Sequence, residues 1–412
     1  MRKNLKILHV LSQLPEYTGS GHYVQALLAE SAKKGHRCFL LSAGIDRWNL
    51  GGKDLPYIEE KNQVVVPFES RRLPFPIPGM SDVMPYEHSR FGDLTDRQME
   101  LYEEVFREAL IHSVKTFAPD LIHCHHLWLL TSMTRLLFPE IPVVATSHGS
   151  DLRQMRNLPR FKGEVLEGCS KLNRVLSLSS PQKDEIRDIY GITSERISIV
   201  GGGYRSDLFT PQEKPEVPPV TLLYGGKISS EKGIPWLARS LGKVHLPWRL
   251  VVAGKGTGQD GKRCVDMIKA LGSKVQLVGQ VPPSKMAALM GKSHLFVLPS
   301  LHEGLPLVLL EALACGCRVV ATALPGVLEM AEGIAPSTLE TVPMKVSPDT
   351  VWNPDQESLS DMALAIERQI GRALSGEYPS IPLEKLKNYT WESVFEKTEK
   401  AYFTALEETS PL

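Results

Sequence analysis

The chain has 412 residues and equal numbers of basic and acidic side chains, so its formal net charge at pH 7 is zero. This balance argues against a dedicated nucleic-acid binder, although a local basic patch facing an anionic lipid is compatible with it. No run reaches the roughly twenty apolar residues of a membrane span, and no signal-peptide cleavage site follows the first apolar stretch. We therefore expect a cytoplasmic protein, including the inner face of a membrane as a peripheral location, with six free thiols.

The first residues predict a parallel α/β domain. Residues 5–12 (LKILHVLS) form a continuous apolar run typical of a buried parallel strand. Gly19 and Gly21 bend the chain before a helix over 23–33, and residues 38–42 form the next strand. This order is typical of a doubly wound sheet. The glycine turn either brings backbone amides close to a ligand or only closes a tight corner.

A proline- and glycine-rich stretch, residues 51–92, is long for a connection in a compact domain. It is either an acceptor-side loop or surface filler. Residues 94–117 then predict an amphipathic helix, with Asp96 in its first turn and Pro119 after its end.

Histidines follow two further predicted strands. His125 and His126 come after a strand at 121–123, and His148 comes after a strand at 142–146. Ligands of open α/β sheets bind outside the carboxyl ends of the strands. The His-x-His-His pattern could hold a metal, but no carboxylate lies at a helpful spacing. We therefore expect a polar wall of an acceptor site and no metal.

The second domain opens at Val220, after a proline-rich, charged linker at 211–219. Its first strand runs into Gly226, Lys227 and, at the start of a helix, Lys232. Two cations beside a diphosphate would neutralise the charge that develops on a leaving group. The alternative is two solvated lysines.

The stretch SLHEGLPLVLLEALACG at 300–316 carries the clearest pattern. An apolar strand leads into it, and Pro306 favours a helix start there. Amides at a helix start attract phosphate, and the carboxylates of Glu303 and Glu311 can accept hydrogen bonds from sugar hydroxyls. Such a site fits a nucleotide-sugar. The alternative is an amphipathic helix with two solvated glutamates.

The E-x7-E pair of Glu303 and Glu311, followed by EALACG, resembles the donor site of family 4 glycosyltransferases of the GT-B fold. The resemblance covers nearly the whole chain. It implies an α/β fold of two Rossmann-like, doubly wound domains facing a central cleft, with the acceptor in the first and the donor in the second. The implied boundaries are 1–210 for the acceptor domain, 211–219 for the linker, 220–388 for the donor domain and 389–412 for a helix that crosses back.

The resemblance also implies roles by position. Glu311 would hold the nucleotide ribose, Glu303 the transferred sugar, and the amides of Gly304 and Leu305 the diphosphate. Lys227 and Lys232 match a G-R/K-x-x-x-x-K-G pattern, although most members have Arg at the first position. The implied donor-side residues in strand-end turns are Gly19, Gly21, Gly226, Gly254 and Gly279.

On the acceptor side, His148 in the segment SHGSDLRQM would contact the transferred sugar and stabilise the reacting centre. Asp151 and Arg153 would orient it or touch the acceptor, together with His125 and His126. The implied catalytic set is His148, Lys227, Lys232 and Glu303.

The family implies retention at the anomeric carbon, and the chain has no D-x-D motif for a metal-bound diphosphate. We therefore expect a metal-independent hexosyltransferase with no cofactor. A UDP-sugar is the favoured donor and a GDP-sugar the second. The acceptor would be a saccharide, a lipid-linked saccharide or a small molecule, in polysaccharide or glycoconjugate synthesis. Two alternatives are a nucleotide-sugar 2-epimerase on the same fold and a non-catalytic nucleotide-sugar-binding subunit. The second stays open because Lys227 stands where Arg is usual and Gly202 where Asn is usual.

Overall fold

The computed structural model of the chain describes residues 4–45, 58–82, 84–303, 306–345, 350–380 and 383–409. These residues form two compact units. The first unit joins Met1–Gly202 to Trp391–Leu412, and the second is Gly203–Thr390. Each unit has its own parallel sheet with helices packed on it.

The first unit contains a seven-stranded parallel sheet in the order β3-β2-β1-β6-β7-β8-β9. Its strands are β1 (Lys6–Leu11), β2 (Arg37–Ile45), β3 (Gln63–Phe68), β6 (Leu121–His125), β7 (Val143–Thr146), β8 (Arg174–Ser177) and β9 (Ile197–Ile199), and a separate short pair is β4 (Pro78–Gly79) and β5 (Ser89–Arg90). Its helices are α1 (Gly19–Lys33), α2 (Asp96–Phe117), α3 (Leu129–Leu137), α4 (Ser150–Asn157), α5 (Lys162–Cys169), α6 (Ser180–Tyr190) and, from the chain's end, α14 (Trp391–Thr409).

Apolar periodicity explains how these elements pack. Strand β1 is apolar almost throughout and buried, because helices cover both faces of a parallel sheet. Helix α2 begins after Thr95, whose hydroxyl accepts a hydrogen bond from the Gln98 N–H in a capping box. Helix α14 contributes Phe395 and Tyr402 to the same core as Ile7 of β1. The C-terminal helix is therefore part of the first unit.

The prediction of an irregular connection over 51–92 was wrong for its middle part. Residues Gln63–Phe68 form β3, which pairs in parallel with β2 at the edge of the sheet. Pro67 lies on this strand and is exposed, because an edge strand tolerates a residue without an N–H. Residues 51–57 and 83 lie outside the described part of the chain.

The second unit contains a six-stranded parallel sheet in the order β12-β11-β10-β13-β14-β15. Its strands are β10 (Val220–Gly225), β11 (Trp248–Ala253), β12 (Val275–Gly279), β13 (Leu295–Leu298), β14 (Arg318–Thr322) and β15 (Leu339–Val342). Its helices are α7 (Ile234–Leu241), α8 (Gly258–Lys269), α9 (Pro283–Gly291), α10 (Leu307–Ala314), α11 (Pro325–Ala331), α12 (Gln356–Leu374) and α13 (Leu383–Lys387). Two doubly wound α/β units confirm the predicted fold class.

The segment predicted as a linker, residues 211–219, belongs to the second unit. The Lys214 ammonium donates hydrogen bonds to the carbonyls of Met290 and Cys315, at 2.9 and 2.8 Å. The six cysteines are free thiols, as expected. Among the described helices, none combines the length and the apolar character needed to cross a bilayer.

Candidate active site

Most of the predicted donor residues follow neighbouring strands of the second sheet. In sheet order, β12 ends at Gly279, β11 ends just before Gly254, and β10 ends just before Gly226. The next strand, β13, leads after five residues to Glu303. The carboxyl ends of parallel strands meet at one edge, where α/β proteins bind ligands. We call this set of turns the donor edge.

The glycines of the donor edge pack against one another. The Gly254 N–H donates a hydrogen bond to the Gly279 carbonyl at 2.8 Å. A Cβ on Gly254 would lie 1.8 Å from the carbonyl oxygen of Gly226, which is a severe clash with backbone. Position 254 therefore requires glycine, and the turns form one continuous layer of backbone.

The structure brings two predicted catalytic residues into direct contact. The Lys232 ammonium lies 2.7 Å from a carboxylate oxygen of Glu303, and their side chains are 32% and 17% exposed. The turn that carries Lys232 approaches the segment after β13 closely, since a Cβ on Gly233 would lie 1.8 Å from the Pro299 carbonyl oxygen. The sequence predicted both residues for the site but not their ion pair.

Two further contacts, which sequence reasoning missed, hold this turn. The Asp260 carboxylate, in the first turn of α8, accepts hydrogen bonds from the N–H and the hydroxyl of Ser230, at 3.1 and 2.6 Å. The Tyr224 hydroxyl donates to the Lys227 carbonyl at 2.6 Å. The Lys227 ammonium has no ion-pair partner among the described residues. Its charge is therefore available to an anion.

Glu311 lies in the middle of α10, which begins at Leu307, directly after Pro306. Burial raises the pKa of Glu311 to about 7 because desolvation disfavours the charged form. Its carboxylate has no hydrogen-bond or ion-pair partner within the described part of the chain. The predicted phosphate-binding amides of Gly304 and Leu305 lie outside the described residues.

Gly19 and Gly21 lie in the first unit, at the start of α1. The Thr18 hydroxyl caps this helix by accepting a hydrogen bond from the Gly21 N–H at 2.9 Å. A Cβ on Gly21 would lie 2.5 Å from the Pro15 carbonyl oxygen, whereas a Cβ on Gly19 would meet nothing within 4 Å. Gly21 therefore closes a tight corner, and only the backbone at Gly19 borders open space.

The predicted acceptor-side histidines cluster at the carboxyl ends of β6 and β7. His125 and His126 are buried, and His148 is partly exposed. A nitrogen of His125 lies 3.2 Å from one of His148, and the rings of His126 and His148 are 4.8 Å apart. Sequence reasoning missed His9, which lies on β1 and joins this cluster. The available signal was a histidine inside an apolar run.

Asp151 and Arg153 have other partners than His148. The buried Asp151 carboxylate accepts hydrogen bonds from the Leu127 N–H at 2.7 Å and from the Ser147 hydroxyl at 3.1 Å. It therefore ties two strand-end loops together. Arg153 donates to the Ser81 hydroxyl at 2.7 Å, within the proline- and glycine-rich segment. Neither side chain forms a described hydrogen bond to His148.

The histidine cluster should make folding sensitive to acid. Burial lowers the pKa of His9 to about 3 and that of His126 to about 4, against about 6.5 in the unfolded chain. The unfolded chain thus binds more protons below pH 6.5, so stability present above that value is lost as the pH falls. Each histidine contributes up to about 1.4 kcal/mol per pH unit. Urea unfolding at pH 7.0 and 5.5 measures this loss. His9→Gln should reduce the loss of stability between the two pH values. Equal stability of the wild type at both pH values would contradict the expectation.

Two family descriptions match the chain: "Glycosyltransferase Family 4" over residues 17–208 and "Glycosyl transferases group 1" over residues 219–346. Among curated relatives, glycogen synthase of Mycobacterium tuberculosis is 26% identical over 235 residues, which are 52% of this chain and 55% of that protein. An uncharacterised glycosyltransferase of Methanocaldococcus jannaschii is 24% identical and covers 79% of this chain and 84% of its own. The chain thus spans about half the length of the first relative it matches.

Solved structures show the same fold. Sucrose-phosphate synthase from Thermosynechococcus elongatus superimposes with a TM-score of 0.67 at 18% identity, covering 97% of this chain and 98% of its own. An Anabaena protein in complex with UDP and glucose gives a TM-score of 0.64 at 16% identity, covering 96% and 98%.

The fold is that of the GT-B class, and both family descriptions that match the chain are descriptions of glycosyltransferases. The match to the family 4 description over residues 17–208, followed by the match to glycosyl transferases group 1, confirms the resemblance that the motifs indicated. The epimerase and non-catalytic alternatives are not favoured, because the family descriptions and the curated relatives that match the chain are glycosyltransferases or sugar-polymer synthases.

Proposed function

We propose that the protein is a retaining glycosyltransferase that moves a sugar from a nucleotide-sugar to an acceptor hydroxyl without a metal ion. The observation that carries this proposal is the donor edge. Lys227, Lys232 and Glu303 follow the neighbouring strands β10 and β13 there, and Glu311 lies on α10, the helix that comes next. Cations and carboxylates at one edge suit a ligand that combines a diphosphate with two sugars. The setting we propose is polysaccharide or glycoconjugate synthesis.

Each group of the donor edge has a proposed task. Glu311 accepts hydrogen bonds from the ribose hydroxyls, and its lack of a described partner supports this task. In the free protein Glu303 neutralises Lys232. When the diphosphate binds, Lys232 turns to it with Lys227, and Glu303 becomes free to accept from a hydroxyl of the transferred sugar.

The reaction we propose proceeds on one face of the sugar. The bond from the anomeric carbon to the diphosphate oxygen breaks, and a bond from the same carbon to the acceptor oxygen forms on that face. The acceptor proton passes to the leaving phosphate. Lys227 and Lys232 stabilise the negative charge that grows on the diphosphate, a task for which preorganised cations are effective.

The donor class can be tested by thermal unfolding against UDP-, GDP- and ADP-sugars in the presence of a chelator. A ligand that binds only the folded protein raises the unfolding midpoint. We expect UDP-sugars to give the largest shift and GDP-sugars to be second, with no shift for Glu311→Ala. A shift of equal size in that variant would contradict the assigned site, and no shift with any donor would count against the proposal.

We place the acceptor at the histidine cluster of the first unit. The acceptor classes that we propose are a saccharide, a lipid-linked saccharide or a small hydroxylated molecule, which fit polar imidazole groups. Contact with a membrane surface would bring a lipid-linked acceptor to the protein. Vesicle co-sedimentation with and without anionic lipid tests that contact.

A further inference from the structure

Four histidines converge at the carboxyl ends of three adjacent strands in the first unit. His9 on β1 lies beside His123 on β6 in the strand register. His125, two residues further along β6, lies on the same face of the sheet as His123. His148 follows β7. This grouping needs an explanation, since buried imidazoles require partners for their polar nitrogens.

Three of these imidazoles form a line of hydrogen bonds. Nδ1 of His9 lies 3.3 Å from Nε2 of His125. Nδ1 of His125 lies 3.2 Å from Nε2 of His148. Burial lowers the pKa of all three, and that of His9 to about 3, so the rings are neutral at pH 7. A neutral imidazole has one N–H and one lone pair, so both bonds point the same way along the line.

The inner end of the line sets that direction. Nε2 of His9 is buried and has no hydrogen-bond partner among the described residues. A buried N–H without an acceptor is rarer than an acceptor without a donor, so this nitrogen carries the lone pair. His9 then donates through Nδ1–H to His125, and His125 donates through Nδ1–H to His148. The Nδ1–H of His148 is left free at the partly exposed end.

A metal ion is the competing explanation. His9, His123 and His125 offer nitrogens within 4.8 Å of one another. Both nitrogens of His123 are already bonded, however, to the Tyr402 hydroxyl and the Thr146 hydroxyl at 2.7 Å each. A metal held by all three histidines would also break the bond between His9 and His125. The line of hydrogen bonds keeps both the contacts of His123 and the bond between His9 and His125.

We propose that His9 and His125 are positioning residues that fix the tautomer of His148, so that His148 presents an Nδ1–H donor. The use of that donor rests on the proposed function, in which the acceptor lies at the histidine cluster and His148 donates to one of its oxygens. A fixed tautomer matters because the wrong one turns the donor into an acceptor, and loss of a tautomer-fixing partner is costly in other enzymes.

The test that does not depend on turnover is the nitrogen NMR spectrum of the protein with 15N-labelled histidine at pH 7. We expect His9, His125 and His148 all to be neutral Nδ1–H tautomers, and zinc chloride to leave their signals unchanged. An Nε2–H tautomer or an imidazolium at His148, or stoichiometric zinc that shifts His9 and His125 together, would overturn the proposal. This result stands whether or not the donor assignment is correct.

Variants test the positioning role. His125→Leu breaks the line and should convert His148 to a mixture of tautomers, with kcat at least about tenfold lower and the donor KM unchanged. His125→Gln has both a donor and an acceptor and should restore part of kcat. His123→Gln is the matched control, since it is equally buried on the same strand but outside the line, and should keep the His148 tautomer. A His125→Leu spectrum with unchanged His148 signals would refute the positioning role. If that variant does not fold, the wild-type spectrum still tests the tautomer of His148.

Discussion

Replacing Lys232 by alanine should lower turnover by about 10²- to 10³-fold, while donor affinity changes by less than about tenfold. The ammonium is proposed to meet the diphosphate mainly as its negative charge grows, so its loss affects the transition state more than the bound donor. Steady-state kinetics with the donor identified by thermal shift measure both quantities. The variant should also leave Glu303 without its ion-pair partner.

The matched control is Lys262→Ala, which removes an exposed lysine on α8 of the same unit. Its kinetic constants should equal those of the wild type. A Lys232→Ala protein with wild-type turnover would refute the proposed leaving-group clamp. A variant that lost donor affinity and kept its turnover at saturation would instead mean that Lys232 binds the donor and the transition state equally.

Donor affinity should rise about tenfold between pH 6 and pH 8, because the free Glu311 carboxyl has a pKa of about 7 and only its ionised form accepts both ribose hydroxyls. Donor affinity is highest above the pKa of Glu311 and is lost as the pH falls through that value. An intact nucleotide-sugar should serve as the ligand, since a terminal phosphate titrates near pH 6 and would add its own dependence. Isothermal titration calorimetry at four pH values measures the trend.

Glu311→Gln should remove this pH dependence and raise the donor Kd by about tenfold or more, the cost of a lost charge-assisted hydrogen bond. Asp266→Asn is the matched control, because it neutralises an exposed carboxylate on α8 and should leave both the affinity and its pH dependence unchanged. A pH dependence that persists in Glu311→Gln would assign the titrating group elsewhere.

The doubly wound fold was predictable because local signals agree with it. The apolar strand at 5–12, the amphipathic helix at 94–117 and the C-terminal helix at 389–412 were all placed within a few residues of their observed bounds. Strand β3 was missed because a proline inside an apolar run reads as a break, and only its position at the sheet edge makes that proline harmless.

The residues of the candidate site could be chosen from motifs in the sequence, but the contacts among them could not. Lys232 and Glu303 are separated by 71 residues, and their pairing depends on the close approach at Gly233. His9 and His125 are 116 residues apart, and nothing in the sequence states that β1 and β6 are neighbours. Such pairings arise from strand order in the sheet, which motifs at single strand ends do not reveal.

The most direct test of the central claim is the fate of the donor in a chelator-containing reaction, followed by proton NMR with water as the acceptor. We predict slow release of the nucleoside diphosphate and a freed sugar that first appears with the donor's own anomeric configuration, with both signals much reduced in Lys232→Ala. First appearance of the opposite anomer would contradict retention. An epimerised nucleotide-sugar with no diphosphate release would contradict sugar transfer itself.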